Sequence, residues 1–241
     1  MNMSKLRVTI WNEFHHEHTD ERAKANYPDG IHECLARALA ADDLDITTAW
    51  LEKDEEHGLS QEALENTDVL LWWGHCRHGD VRDDVADRVA ARVQQGMGFV
   101  ALHSAHMSKP FTRLMGTPCT LRWRENDDRC VVWNVNANHP ITRGVPLHFI
   151  LEKEEMYGEY FFIPQPEELI FLSWFDGGQV FRSGCTFTRG IGKIFYFQPG
   201  HEVYRAYHDE NVVKVIGNAI RWAGPPAPRP FEAGAKMGSV V

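Results

Sequence analysis

Gly98-Phe99-Val100-Ala101-Leu102-His103-Ser104-Ala105-His106 is a short apolar run that stops abruptly in a polar, histidine-bearing turn. Runs of this length, bounded by glycine and polar residues, read as strands buried on both faces of a parallel sheet. In open α/β sheets ligands bind just beyond the carboxyl ends of such strands, and His103 and Ser104 stand where this strand should stop. The pattern recurs. Leu6-Arg7-Val8-Thr9-Ile10-Trp11 runs into Asn12-Glu13-Phe14-His15-His16-Glu17, and Asp68-Val69-Leu70-Leu71-Trp72-Trp73 into Gly74-His75-Cys76-Arg77-His78. Lys193-Ile194-Phe195-Tyr196-Phe197 runs into Gln198-Pro199-Gly200-His201-Glu202. Four expected strands thus deliver histidines at their carboxyl ends.

Working outward, the first half alternates strand and helix. Strands are expected over 6–11, 46–51 and 69–73, and helices over 31–41, after an N-cap at Ser60, and after Asp80 as cap, where Val81, Val85, Val89 and Val93 form a stripe. That order is the signature of an α/β fold with a doubly wound parallel sheet and right-handed crossovers. The second half reads differently. A short helix is expected over 110–115. Strands over 121–123 and 130–134 flank a turn at 125–129, and further strands follow over 169–174, 179–187 and 193–197, which suggests antiparallel additions to a mostly parallel sheet. A last helix is expected over 211–222. Residues 1–223 read as one domain, and the proline- and glycine-rich 224–241 as a loose tail.

The chain has 241 residues, with 25 lysines and arginines against 34 aspartates and glutamates, a formal charge of -9. No basic patch dominates, so nucleic acid is not an expected partner. No apolar run approaches the roughly 20 residues of a membrane span, so neither is a membrane. Five cysteines, odd in number and without a CxxC pair or a preceding secretory signal, point to a reduced, cytoplasmic protein without structural disulfides. Cys185 carries no sign of a nucleophile.

The histidines and carboxylates are the chemical candidates. Each group alone reads as an ordinary solvated turn. Together, at strand ends that converge on one crevice, they form a ligand set for a divalent metal, zinc first. The metal candidates are His16, His75, His78, His103 and His106. The spacing of three in His75/His78 and in His103/His106 would let each pair share one ion. Within the crevice His103 is expected to outrank His106, because the sheet itself aims a residue at a strand end, and Ser104 with the following amides could form an oxyanion pocket. A second polar concentration, Glu154-Glu155-Met156-Tyr157-Gly158-Glu159-Tyr160, reads either as an exposed acidic turn or as a sugar-binding rim. Trp123 and Tyr204 could add aromatic faces, while Trp72 and Trp174 are expected in the core.

Several of these stretches carry a family resemblance: Trp11-Asn12-Glu13 with His16-Glu17, Trp72-Trp73-Gly74-His75 with His78, Leu102-His103-Ser104 with His106, Glu155-Met156-Tyr157-Gly158-Glu159, Phe181-Arg182-Ser183-Gly184-Cys185, and Pro199-Gly200-His201-Glu202. The chain resembles the ThuA-like (trehalose utilisation) family within the class I glutamine amidotransferase-like superfamily. The resemblance implies a flavodoxin-like sheet and a role in disaccharide catabolism, often beside a keto-sugar oxidoreductase. The amidotransferase nucleophile is a cysteine on a sharp strand-to-helix elbow, and His103 or Ser104 stands there in this chain. Their histidine and glutamate near the last strand look like His201 and Glu202.

Two functional expectations follow. One is a metal-dependent enzyme acting on a disaccharide or keto sugar, with His103, Ser104, His201, Glu202 and Glu159 as catalytic candidates and Glu13, Tyr157, Arg182 and Tyr204 as substrate-binding candidates. The other is a non-catalytic sugar-binding or regulatory protein on a scaffold that lacks the elbow cysteine. The expected partners are a small-molecule sugar, a keto-sugar oxidoreductase of the same pathway, and a second copy of the chain as a homo-oligomer. With no GxGxxG after a strand, no dinucleotide is expected.

Overall fold

Continuous apolar runs form the inner strands, and amphipathic helices cover them. A computed structural model of the chain describes residues 5–225; the tail expected over 224–241 therefore falls, from residue 226 on, outside the described residues. In chain order the first half comprises β1 (Leu6–Asn12), α1 (His16–Thr19), α2 (Glu21–Asn26), α3 (Ile31–Leu39), β2 (Leu44–Trp50), α4 (Gln61–Glu65), β3 (Val69–Trp73), α5 (Asp83–Gln94) and β4 (Gly98–Leu102). The second half comprises α6 (Lys109–Met115), β5 (Arg122–Asn134), β6 (His148–Gly158), β7 (Glu168–Phe175), β8 (Val180–Arg189), β9 (Gly192–Phe197) and α7 (Glu210–Ala223). They build one nine-stranded sheet in the order β2-β1-β3-β4-β9-β8-β7-β5-β6. The first five in that order run parallel and the remaining pairings are antiparallel.

Every residue of β3 and β4 is buried, as a strand covered on both faces requires. Helix α3 packs with α7, and α5 with α4 and α6. The stripe on α5 is Val85, Ala86, Val89, Ala90 and Val93; on α7 it is Val212, Val215, Ile216, Ala219, Ile220 and Ala223. Gly98 lets β4 pass close beneath α7, because a Cβ there would overlap the Ala223 carbonyl.

The structure corrects four expectations. Asp80 does not cap α5: its carboxylate takes a 2.7 Å bond from Arg77 Nε, and α5 begins after Arg82. Residues 125–129 are no turn but the middle of β5, one 13-residue strand whose pairing with β6 shifts register around Asp128. Such shifts let polar residues sit inside a ladder, which is why the stretch reads as a loop. The acidic stretch after Ile150 is β6, with residues 154–158 buried. Trp174 is 38% exposed on β7 instead of buried, whereas Trp72 is fully buried.

Candidate functional site

Sheet register brings the strand ends together. Asn12 pairs with Trp73, Trp73 with Leu102 and Leu102 with Phe197, so β1, β3, β4 and β9 stop on one line. The next residues, Glu13, Gly74, His103 and Gln198, open a common crevice. His103 has φ 53°, a left-handed conformation that costs a non-glycine residue about 1–3 kcal/mol. That strain marks His103 as the elbow itself and turns its side chain under the crevice, fully buried.

One ligand atom from each of His75, His103, Glu155 and His201 lies within 4.8 Å of the others. His103 Nδ1 sits 3.0 Å from the Gln198 carbonyl, which can only accept, so the proton is assigned to Nδ1 and neutral His103 turns a lone pair inward at Nε2. That Nε2 lies 3.0 Å from Glu155 Oε2, and His201 Nε2 lies 3.9 Å from the same oxygen. Despite these distances Glu155 Oε2 is enclosed and takes no well-directed hydrogen bond. Behind the cluster, Glu202 Oε1 lies 3.1 Å from His75 Nδ1 and 3.3 Å from His16 Nδ1, and its Oε2 lies 3.6 Å from His201 Nδ1. His16 Nδ1, His75 Nδ1 and Glu202 Oε2 are likewise enclosed without a hydrogen-bond partner among the described residues.

Burial and neighbouring charge oppose each other here. Burial alone would raise Glu13, Glu155 and Glu202. Backbone N–H groups outweigh it at Glu13, and imidazoles at the other two, so all three are held below the usual carboxylate range. Burial pushes His78 and His201 down to about 4. Burial opposes charge on His103 too, but the Glu155 carboxylate outweighs it and raises that imidazole. Glu154, fully buried, is pushed up to about 7 by burial, although it accepts N–H bonds from Glu155, Gly200 and His201. Enclosed carboxylates thus share the crevice with His78 and His201, whose charged forms burial disfavours.

The other sequence candidates take different places. Neither histidine pair forms a two-ligand unit. His106 turns aside with Nδ1 2.7 Å from the Cys119 carbonyl, and burial lowers it to about 3; it lines the cavity outside the four-residue cluster. His78 also stands apart from that cluster. Glu13, expected at the substrate, turns its carboxylate to the backbone N–H groups of His75, Cys76 and Arg77 at 2.9–3.1 Å and so shapes the loop that carries His75. Glu159 is committed to Arg182, at 2.8 and 3.0 Å, and to the N–H groups of Phe161 and Arg182. The Tyr204 ring lies tilted beside His201, centroids 5.4 Å apart, but its hydroxyl donates to Asp127 at 2.8 Å. Ser104 Oγ bonds the Tyr157 hydroxyl at 2.7 Å, which itself lies 3.4 Å from His103 Nε2; His201 is not the partner of Ser104. The sequence reading took Tyr157 and Glu159 from this stretch as candidates, with the stretch as a turn or a sugar-binding rim, and left Glu155 off the site. Its signal was two adjacent glutamates entering an aromatic, strand-like run.

Above the cluster opens a cavity of about 400 Å³, floored by His75, Glu155 and His201, flanked by Ser104 and Tyr157, and rimmed by Trp123.

The family model described as trehalose utilisation matches residues 7–223. No curated protein matches the chain. Among solved structures, a ThuA-like protein from Parabacteroides merdae is 15% identical, with a TM-score of 0.68 over 94% of this chain and 94% of that one. A ThuA-like protein from Bacteroides uniformis is 16% identical, with a TM-score of 0.66 over 92% and 93%. A glutamine amidotransferase from Thermotoga maritima is 11% identical, with a TM-score of 0.54 over 92% and 99%. At these identities the likeness is one of fold, and it is the doubly wound fold expected from the strand-helix alternation. No helix among the described residues is long and apolar enough to cross a membrane.

Proposed function

The chain belongs to the ThuA (trehalose utilisation) family, and on that premise we propose that it is an enzyme acting on a disaccharide or keto sugar with the aid of a divalent metal ion, zinc first. The observation that carries the reading is the convergence of His75, His103, His201 and Glu155 within 4.8 Å on a cavity floor, with a buried carboxylate oxygen left unpartnered. Three imidazoles and one carboxylate form a donor set that suits zinc. These four residues would hold the ion; Gln198 stands behind His103 and Glu202 behind His75 as outer-shell acceptors, whereas His201, whose Nδ1 accepts the Val203 N–H at 3.3 Å, would change tautomer to turn a lone pair inward. When bound, such an ion supplies a Lewis acid for a carbonyl or a water of lowered pKa. Ser104 presents the hydroxyl nearest the elbow and, held by Tyr157, orients a sugar hydroxyl above the floor. Glu13 and Glu159, whose oxygens are engaged elsewhere, take no proton. The reaction would run in the cytoplasm, where the five free cysteines stay reduced, beside an oxidoreductase that makes or consumes the keto sugar.

Elemental analysis of purified protein and of His103→Ala tests the proposal. Near-stoichiometric metal in the parent and little in the variant are expected. No metal in the parent, together with no effect of chelator on sugar affinity, would overturn it.

A further inference from the structure

A second set of donor groups lies beside the floor cluster and shares no residue with it. One ligand atom from each of Glu13, His16 and Cys76 lies within 4.8 Å of the others. They come from three places in the chain: just past β1, the first residue of α1, and the loop after β3. Cys76 is exposed, whereas the other four free cysteines are buried.

The three groups turn their donor atoms to one point. Cys76 Sγ lies 3.2 Å from Glu13 Oε1 and 3.8 Å from His16 Nε2. Glu13 Oε1 already accepts the Cys76 N–H at 3.1 Å, and its remaining lone pair takes the thiol hydrogen. His16 Nδ1, enclosed and without a hydrogen-bond partner among the described residues, lies 3.3 Å from the buried Glu202 carboxylate. A proton on Nδ1, aimed at that carboxylate, leaves Nε2 as a lone pair toward the sulfur. A tetrahedral zinc ion with bonds of about 2.3 Å to sulfur and about 2.1 Å to nitrogen or oxygen holds such atoms about 3.6 Å apart. The two sulfur separations, 3.2 and 3.8 Å, fall on either side of that spacing.

We infer that Glu13, His16 and Cys76 form a second divalent-cation site, separate from the floor cluster and selective for zinc through its thiolate ligand. Burial and the Glu13 carboxylate push the Cys76 thiol up to about 12, so without an ion it keeps its proton. The ion takes that proton's place between Sγ and Oε1, and one proton leaves to solvent for each ion bound. With three protein donors, one of them exposed, a fourth position stays open to water. The same openness makes this the weaker site, filled by added metal and emptied during purification.

Cobalt(II) titration of the full chain tests it, because a thiolate–cobalt bond gives a near-ultraviolet charge-transfer band that imidazole and carboxylate ligands do not. The parent should develop the band as cobalt is added, with release of a proton. Cys76→Ser, whose hydroxyl keeps a donor for Glu13, should lose the band and one equivalent of cobalt. His16→Ala should weaken the affinity read from the band by at least about tenfold. His103→Ala should keep the band, so the two sites are read separately: a band without metal on the floor keeps this inference and removes the other, and floor metal without a band does the reverse. No band in the parent at excess cobalt, a band that survives Cys76→Ser, or an affinity unmoved by His16→Ala would overturn the inference.

Discussion

Replacing Glu202 by glutamine probes how the site is organised, because it removes a charge and leaves the volume unchanged. Glu202 is 2% exposed, with His75 Nδ1 and His16 Nδ1 at 3.1 and 3.3 Å from one oxygen and His201 Nδ1 at 3.6 Å from the other. The carboxylate can accept from His75 and His16 where they turn an Nδ1–H toward it, which keeps His75 Nε2 as a lone pair facing the cavity; His201 Nδ1 instead accepts the Val203 N–H at 3.3 Å. Glutamine offers one acceptor oxygen and opposes another ring with an amide N–H. Where that ring is His75, it must rotate or move its proton to Nε2, and either change removes a ligand. Loss of such an outer-shell partner costs about 10–100-fold in metal affinity, roughly 1.4–2.7 kcal/mol. Competition with a chromophoric chelator for zinc reads this affinity, with the exposed Glu62→Gln as control. An affinity for Glu202→Gln within about twofold of the parent, against the 10–100-fold expected of an outer-shell partner, would refute the reasoning and leave Glu202 as a buried neighbour only.

Three further outcomes are expected. Glu13→Gln should destabilise the protein by about 2–3 kcal/mol, because an amide N–H would face the backbone N–H groups of residues 75–77; chemical denaturation measures it, and an unchanged midpoint would contradict the loop-anchor role. Gly200→Ala should cost about 2–4 kcal/mol, since φ is +139° and the new methyl would overlap the Tyr207 hydroxyl; thermal melting reads it. His106, lowered by burial to about 3 from an ordinary 6.5, binds a proton when unfolded but not when folded between those values. Stability must therefore fall as pH drops from about 6.5 toward 3, by up to about 1.4 kcal/mol per pH unit from this group. His106→Asn, which keeps an N–H for the Cys119 carbonyl, should lose less over that window. Parallel denaturation curves at each pH compare the two, and equal acid sensitivity would show that His106 does not contribute.

The parallel half of the fold was legible because β1, β3 and β4 are continuous apolar runs and α5 and α7 carry clean stripes, signals that local sequence contains. The antiparallel half was harder. β5 carries Glu125, Asp127 and Asp128 in mid-strand, and its register shifts against β6 remove the alternation that identifies a strand. The same feature hid Glu155. The histidines at strand ends were found because a parallel sheet fixes where its carboxyl ends go. Which member of each pair faces inward depends on contacts distant in sequence: the Gln198 carbonyl behind His103 and the Cys119 carbonyl holding His106 aside. The commitments of Glu13 to the 75–77 loop and of Glu159 to Arg182 are equally nonlocal, so these residues looked available until their partners were in place.

Anomalous diffraction from crystals of the protein grown with zinc, recorded on both sides of the zinc absorption edge, addresses the metal centre directly. The account predicts an edge-dependent peak bonded to His75, His103, His201 and Glu155 beneath the Trp123 cavity. Crystals that carry zinc elsewhere, with no peak among those four side chains, would contradict it.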